Sequence, residues 1–280
     1  RDWSSDVCSS DLLLTKQPIY KDFLIYNRAW SGTREYRLKF VELLSNYNLV
    51  SNCNIKFSPV DNGKHYLTHE FQNQKLSVTR TDLEQIIPAN KFCSASSADY
   101  DNQDYRTSGI EVVLETLYDD TRNHLTEKIL RPIACGRPFI LTSTPGSLRY
   151  LREYGFKTFD GLIDESYDLI DDPLERLEKI VSEMQRLSSL PKNKKQKLWH
   201  DLYKISKYNQ QRFFSTNFHD DVVNEFVENL KIGVEKCSQN KTGHWWKIAT
   251  DPSIVNEQFL DQDQIQAIEQ YLANYAVSRV

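Results

Sequence analysis

What most constrains this chain is an alternation of short apolar runs with amphipathic stretches, each run followed by polar residues and a helix start. Lys21-Asp22-Phe23-Leu24-Ile25-Tyr26-Asn27 reads as a buried strand. The loop Trp30-Ser31-Gly32-Thr33 follows, and Thr33 is expected to cap a helix through about Tyr47 with Leu38, Phe40, Val41 and Leu44 on its core face. Asn54–Phe57 reads as a further strand, and the polar stretch 58–108 as loops and short elements. From Gly109 the pattern sharpens. It predicts a strand over Gly109–Thr116, a helix capped by Thr126 and closed at Gly136, a strand over Pro138–Thr142, and a helix over Ser147–Tyr154 ended by Gly155. A β-α-β-α succession implies parallel strands with right-handed crossovers, a Rossmann-like sheet flanked by helices. Further helices are expected from Pro173 to about Leu187, over 192–214, over 218–232 and over 261–277, with a loop-like stretch Lys236–Asp251 that holds Trp245-Trp246.

The front of the chain reads differently. Asp2-Trp3-Ser4-Ser5-Asp6-Val7-Cys8-Ser9-Ser10-Asp11-Leu12 resembles the translation of a common sequencing-library adapter, as in environmental sequence. The one methionine is Met184. The expected organisation is therefore an adapter-derived segment at 1–12, a Rossmann-like domain at 13–215 and a helical extension at 216–280. Hydrophobic residues at 39% and aromatics at 12% suffice for a core, and a formal charge of −4 gives no general basic footprint for nucleic acid. No apolar run reaches the roughly 18–20 residues that span a bilayer. Cys53, Cys93, Cys135 and Cys237 are far apart, which favours reduced structural thiols over a metal site or disulfide framework.

Two clusters carry chemistry. Asn27-Arg28 with Arg34 and Arg37 lies at the carboxyl end of the first strand and the start of its helix. Ligands of open α/β sheets bind outside the strands' carboxyl ends, and a helix N-terminus there favours an anion. Guanidinium groups match phosphate oxygens; solvated surface arginines are the plainer reading. The second cluster is His124-Leu125-Thr126-Glu127-Lys128, followed by Arg131-Pro132-Ile133-Ala134-Cys135-Gly136 and Pro138-Phe139-Ile140. With Thr126 as cap, Glu127 and Lys128 fall in the first helical turn. A carboxylate there can accept both hydroxyls of a ribose and a lysine can neutralise a diphosphate, although Thr-Glu-Lys alone is also a common capping sequence.

The segment His124–Leu141 resembles the donor-binding motif of GT-B glycosyltransferases of the fucosyltransferase kind, a T-E-K tripeptide followed by a small-Gly-x-Pro stretch and a strand. Phe23-Leu24-x-Tyr26-Asn27-Arg28 and the run from Gly136 to Asp168 are similar to a glycosyltransferase-like group of phages and bacteria; the resemblance covers about 21–46 and 109–214. It implies the C-terminal, nucleotide-sugar-binding half of a GT-B fold in a bacterial or phage-infected cytoplasm. It also implies sugar transfer from a UDP- or GDP-linked donor to a hydroxyl of a hydroxymethylated DNA base or a surface glycan, with no metal or other cofactor. Glu127 would hold the ribose and Lys128 the phosphates, with Arg28, Arg34, Thr126 and Arg131 completing the donor site. An N-terminal GT-B domain, which presents the acceptor and usually the base, is expected to be mostly missing, so donor binding with little transfer is the expectation. The catalytic base is unassigned, with His124 and Asp164 as candidates. The alternative is a non-catalytic nucleotide-binding or structural module.

Lesser candidates have plainer readings. His65 and His69 have i,i+4 spacing but no third ligand nearby, and are read as surface histidines. Asp119-Asp120 is read as a solvated loop tip. Trp245-Trp246 stacks a sugar or packs on the main body. Lys192–Lys207, with Trp199 and Tyr203 interleaved, tracks a nucleic-acid backbone or is a solvated helix face.

Overall fold

The computed structural model describes residues 19–87 and 98–239. The adapter-like segment, Cys93, Trp245-Trp246 and the helix expected over 261–277 lie outside the described residues. Contacts divide the chain between His219 and Asp220 into two units, each treated by itself.

The first unit is a parallel sheet flanked by helices, a Rossmann-like α/β architecture of the nucleotide-binding type. Its strands are β1 (Lys21–Asn27), β2 (Cys53–Phe57), β5 (Ser108–Leu114) and β6 (Phe139–Thr142), in the order β2-β1-β5-β6. The register pairs Ile25 with Ile55, Leu24 with Glu111 and Val113 with Leu141. Central parallel strands are covered on both faces, so β5 is buried along its whole length and β1 from Phe23 to Asn27. β2 lies at the edge and alternates, with Cys53, Ile55 and Phe57 buried and Asn54 and Lys56 partly exposed. The chain leaves β1 to one side for β2 and returns to the other for β5, so the strand order reverses between β1 and β5.

The helices are α1 (Tyr36–Asn46), α2 (Leu83–Ile86), α3 (Asn102–Thr107), α4 (Glu127–Ala134), α5 (Ser147–Glu153), α6 (Pro173–Ser188), α7 (Lys192–Phe213) and α8 (Thr216–Gln239). α1 packs on α6, and α4 on α7. Leu38, Phe40, Val41 and Leu44 are buried on α1 as expected. Thr33, however, does not cap that helix. It lies in a 3-10 turn, Gly32–Arg34, before α1 starts at Tyr36, and its hydroxyl donates to the Thr116 carbonyl at 3.0 Å. α8 runs on to Gln239, so the first residues of the expected loop Lys236–Asp251 are helical instead.

The polar stretch after β2 is held by carboxylates. Asn62-Gly63 makes a two-residue hairpin turn between β3 (Val60–Asp61) and β4 (Lys64–His65), with both turn residues at positive φ. Asp61 accepts from the Trp30 and Ser31 amides at 2.9 and 2.7 Å. Just before α1, Glu35 accepts from the Gln72 and Asn73 amides, and from within it Glu42 accepts from those of Thr79 and Arg80. His69, rather than lying on the surface, meets Glu35 at 3.2 Å between Trp30 and Phe71.

The lysine-rich α7 is amphipathic. Leu198 and Leu202 are buried, Lys195 pairs with Asp22 at 3.0 Å, and Arg137 lies over the Tyr203 ring. Trp199 packs onto the start of β5, where Gly109 leaves it room. A Cβ at Gly109 would sit 2.4 Å from Trp199 Cη2 and 2.8 Å from the Asp22 carbonyl oxygen. The latter is backbone and cannot swing aside. Gly109→Ala is therefore expected to lower stability by about 1–3 kcal/mol through overpacking, read as a lower urea midpoint at unchanged m; an unshifted midpoint would refute this packing.

Cys53 and Cys135 are buried and not disulfide-bonded. Among the described residues no helix is long and apolar enough to cross a membrane.

Candidate functional site at the carboxyl ends of β1 and β5

The strand order reverses between β1 and β5, and sheets of this kind take ligands outside the carboxyl ends of the strands at such a point. Arg37 ties the two strand ends together. Its guanidinium is buried and donates to Ala29 O at 2.5 Å, Leu114 O at 2.6 Å and Glu115 O at 3.0 Å. Its backbone carbonyl accepts from Asn27 Nδ2 at 3.1 Å, and Tyr36 adds a hydroxyl to Glu115 O at 2.7 Å. Arg37 thus serves the backbone, not the anion-binding cluster its sequence position pointed to.

The Thr126-Glu127-Lys128 turn is anchored to the end of β5 by Glu115, which is 0 % exposed. Glu115 accepts from the Thr126 amide at 3.1 Å, the Thr126 hydroxyl at 2.6 Å and the Thr116 amide at 3.2 Å. Thr126 is the N-cap of α4, its oxygen accepting from the Lys128 amide at 3.3 Å. An ammonium has three N–H donors. Those of Lys128 meet Thr116 Oγ1 at 3.1 Å, Thr126 Oγ1 at 3.2 Å and Glu127 Oε1 at 2.9 Å. Arg34 belongs to the turn whose Thr33 hydroxyl grips the same Thr116, and its Nε donates to Ser31 O at 3.1 Å. Thr126, Glu127, Lys128 and the turn of Arg34 therefore converge on Thr116.

Arg28 and Arg131 are placed together elsewhere, on the Tyr26 ring, at 5.1 and 4.6 Å from its centroid. Arg28 donates to Asp99 O. Arg131 is ion-paired with Glu111 inside the fold, and the Tyr105 hydroxyl donates to the same carboxylate. Along α4, Glu127, Leu130, Arg131, Ala134 and Cys135 face Ala98, Tyr100 and Phe213 across a cavity of about 200 Å³, so Glu127 adjoins an apolar recess.

Of the two candidate bases, His124 is exposed on the loop leading to Thr126. Asp164 caps another turn and pairs with Lys179 at 2.7 Å. Hydrogen bonds from Lys179 and Ser166 hold its carboxyl down at about 2, which makes it a weak base at neutral pH. Asp119 accepts from Asn73 Nδ2 at 2.7 Å, and Asp120 pairs with Arg122 at 2.6 Å. Among the described residues no group of three or more His, Cys, Asp or Glu side chains is arranged to hold a metal ion.

Sequence reasoning passed over Glu115 and Thr116. The available signal was a charge following the apolar run Val112 to Leu114 where a strand ends at the switch in strand order. Comparison with protein families, with curated proteins and with solved structures finds no match for this chain.

Proposed function

We propose that this chain binds the nucleoside diphosphate of a nucleotide sugar outside the carboxyl ends of β1 and β5, and that it is the donor-binding half of a GT-B glycosyltransferase. The observation that carries the reading is the convergence of Lys128, Glu127 and the turn of Arg34 on Thr116 at the N-terminus of α4. A diphosphate arriving there meets an ammonium, a guanidinium turn and the positive end of a helix. Glu127, about half exposed, is positioned to accept ribose hydroxyls, and the recess beside it offers the base an apolar wall. Sugar transfer leaves negative charge on the departing diphosphate, which fixed cations and helix-end N–H groups stabilise. An acceptor hydroxyl on a modified DNA base or a surface glycan, and a bacterial or phage-infected cytoplasm, complete the proposal. The acceptor must lose a proton, and His124 is the candidate base on this loop.

Calorimetry with UDP and GDP tests the donor site. Glu127→Ala is expected to weaken binding by about 1.5–3 kcal/mol, the range for hydrogen bonds to a charged group. Equal affinity in wild type and variant would remove Glu127 from the site. Transfer of radiolabelled sugar to hydroxymethylated DNA or oligosaccharides tests the enzyme. Nucleotide binding with little or no transfer is the result expected of a donor-binding half; efficient transfer would place the base and the acceptor site within this chain, and no nucleotide binding would overturn the donor-site reading.

A further inference from the structure

We infer that Glu115 is a positioning residue, which sets the direction of the Thr126 hydroxyl and thereby holds the Lys128 ammonium in place for an anion. The anion-binding role rests on the donor-site reading above; the hydrogen-bond relay stands on the geometry alone. Each Glu115 oxygen faces a backbone N–H, Thr126 N at 3.1 Å from Oε1 and Thr116 N at 3.2 Å from Oε2. A backbone N–H only donates, so both oxygens act as acceptors. Thr126 Oγ1 lies 2.6 Å from Oε2, and its single proton therefore points to Glu115. The hydroxyl's lone pairs are left for the Lys128 amide at 3.3 Å and Lys128 Nζ at 3.2 Å, neither of which can accept. The relay runs one way, from Lys128 to Thr126 to Glu115.

A glutamine at 115 has the same shape but cannot keep all three of these contacts. If its oxygen keeps the Thr126 amide, its NH₂ faces the Thr116 amide and the Thr126 hydroxyl. The hydroxyl must then turn its proton toward the lysine. If the side chain flips, the NH₂ faces the Thr126 amide instead. Either orientation sets a donor against a donor: the first deprives the Lys128 side chain, 14 % exposed in the native arrangement, of an acceptor, and the second keeps the hydroxyl's direction but repels the Thr126 amide and so loosens the turn that carries Lys128.

The test uses the full chain carrying Glu115→Gln, Thr126→Val, both together, or Thr126→Ser. One readout is affinity for UDP and GDP by calorimetry. The other is the rate at which dilute acetic anhydride acetylates Lys128, followed by mass spectrometry, with the exposed Lys192 and Lys207 as references. Glu115→Gln is expected to lower affinity at least tenfold and to raise Lys128 acetylation at least threefold, with the references unchanged. Thr126→Val should do the same, serine at 126 should restore what valine removes, and the double variant should be no worse than either single one. If wild type binds neither nucleotide, the donor-site reading falls and acetylation alone decides the relay. If Glu115→Gln does not fold, Thr126→Val against Thr126→Ser makes the same comparison at Lys128. Unchanged Lys128 acetylation, or affinity losses from Glu115→Gln and Thr126→Val that multiply, overturns the inference.

Discussion

Arg131→Met is expected to destabilise the fold by about 3–5 kcal/mol, because it leaves Glu111 as an unpaired buried carboxylate. The pair is closed to water, with side chains 4 % and 0 % exposed, and the Tyr105 hydroxyl also donates to the same carboxylate. Most of the loss comes from the charge left behind rather than from the attraction removed. The triple variant Arg131→Met, Glu111→Leu, Tyr105→Phe takes out the charge and both its donors at similar volume. It should recover most of the stability, and the three single losses should not add. Urea unfolding measures the three single variants and the triple variant against wild type. A loss below about 1 kcal/mol in Arg131→Met would mean that water or another cation reaches Glu111, contrary to the burial seen.

That pair also marks where sequence reading stops. β1 and β5 were legible because strands covered on both faces are mostly apolar, and Phe23 to Ile25 and, but for Glu111, Ile110 to Leu114 are. The cap at Thr126 was legible because capping is local, involving residues two and three positions apart. The roles of Arg37, Arg131, Arg137 and Arg176 were not. Each is buried, and the partners that hold it belong at least in part to other elements: carbonyls of Leu114 and Glu115 for Arg37, of Tyr105 and Ser108 for Arg137, of Tyr118 for Arg176. A charged residue in sequence looks like surface or ligand contact until its nonlocal partners are seen. Glu35 at the start of α1 and Glu42 within it show the same, where carboxylates that would pass for a solvent face anchor loop amides instead. The hairpin at Asn62-Gly63 is a different kind of miss. The turn dipeptide was present, but two-residue strands have no periodicity to read, and the contact that secures them, Asp61 to Trp30, spans separate segments.

Arg37→Met is expected to cost about 2 kcal/mol or more, since it takes a guanidinium donor from the Ala29 and Leu114 carbonyls, at roughly 1–3 kcal/mol for each group left unsatisfied, while the Glu115 carbonyl keeps Tyr36. Arg37→Lys is the sharper test. Lysine keeps the charge but presents one compact ammonium, whereas guanidinium is a planar fork whose two terminal nitrogens reach different strand ends at once. Here Nη1 holds the exit of β1 and Nη2 the end of β5. Arg37→Lys should therefore recover only part of the stability, and hydrogen exchange should quicken at residues 28–31 and 115–117 ahead of the sheet interior. Because Glu115 and Thr116 leave β5 at this clamp, nucleotide affinity should fall in Arg37→Lys even where the protein stays folded. Stability of Arg37→Lys within about 0.5 kcal/mol of wild type, with exchange at 28–31 unchanged, would show that a positive charge alone suffices between the strand ends and that the fork does not align the site.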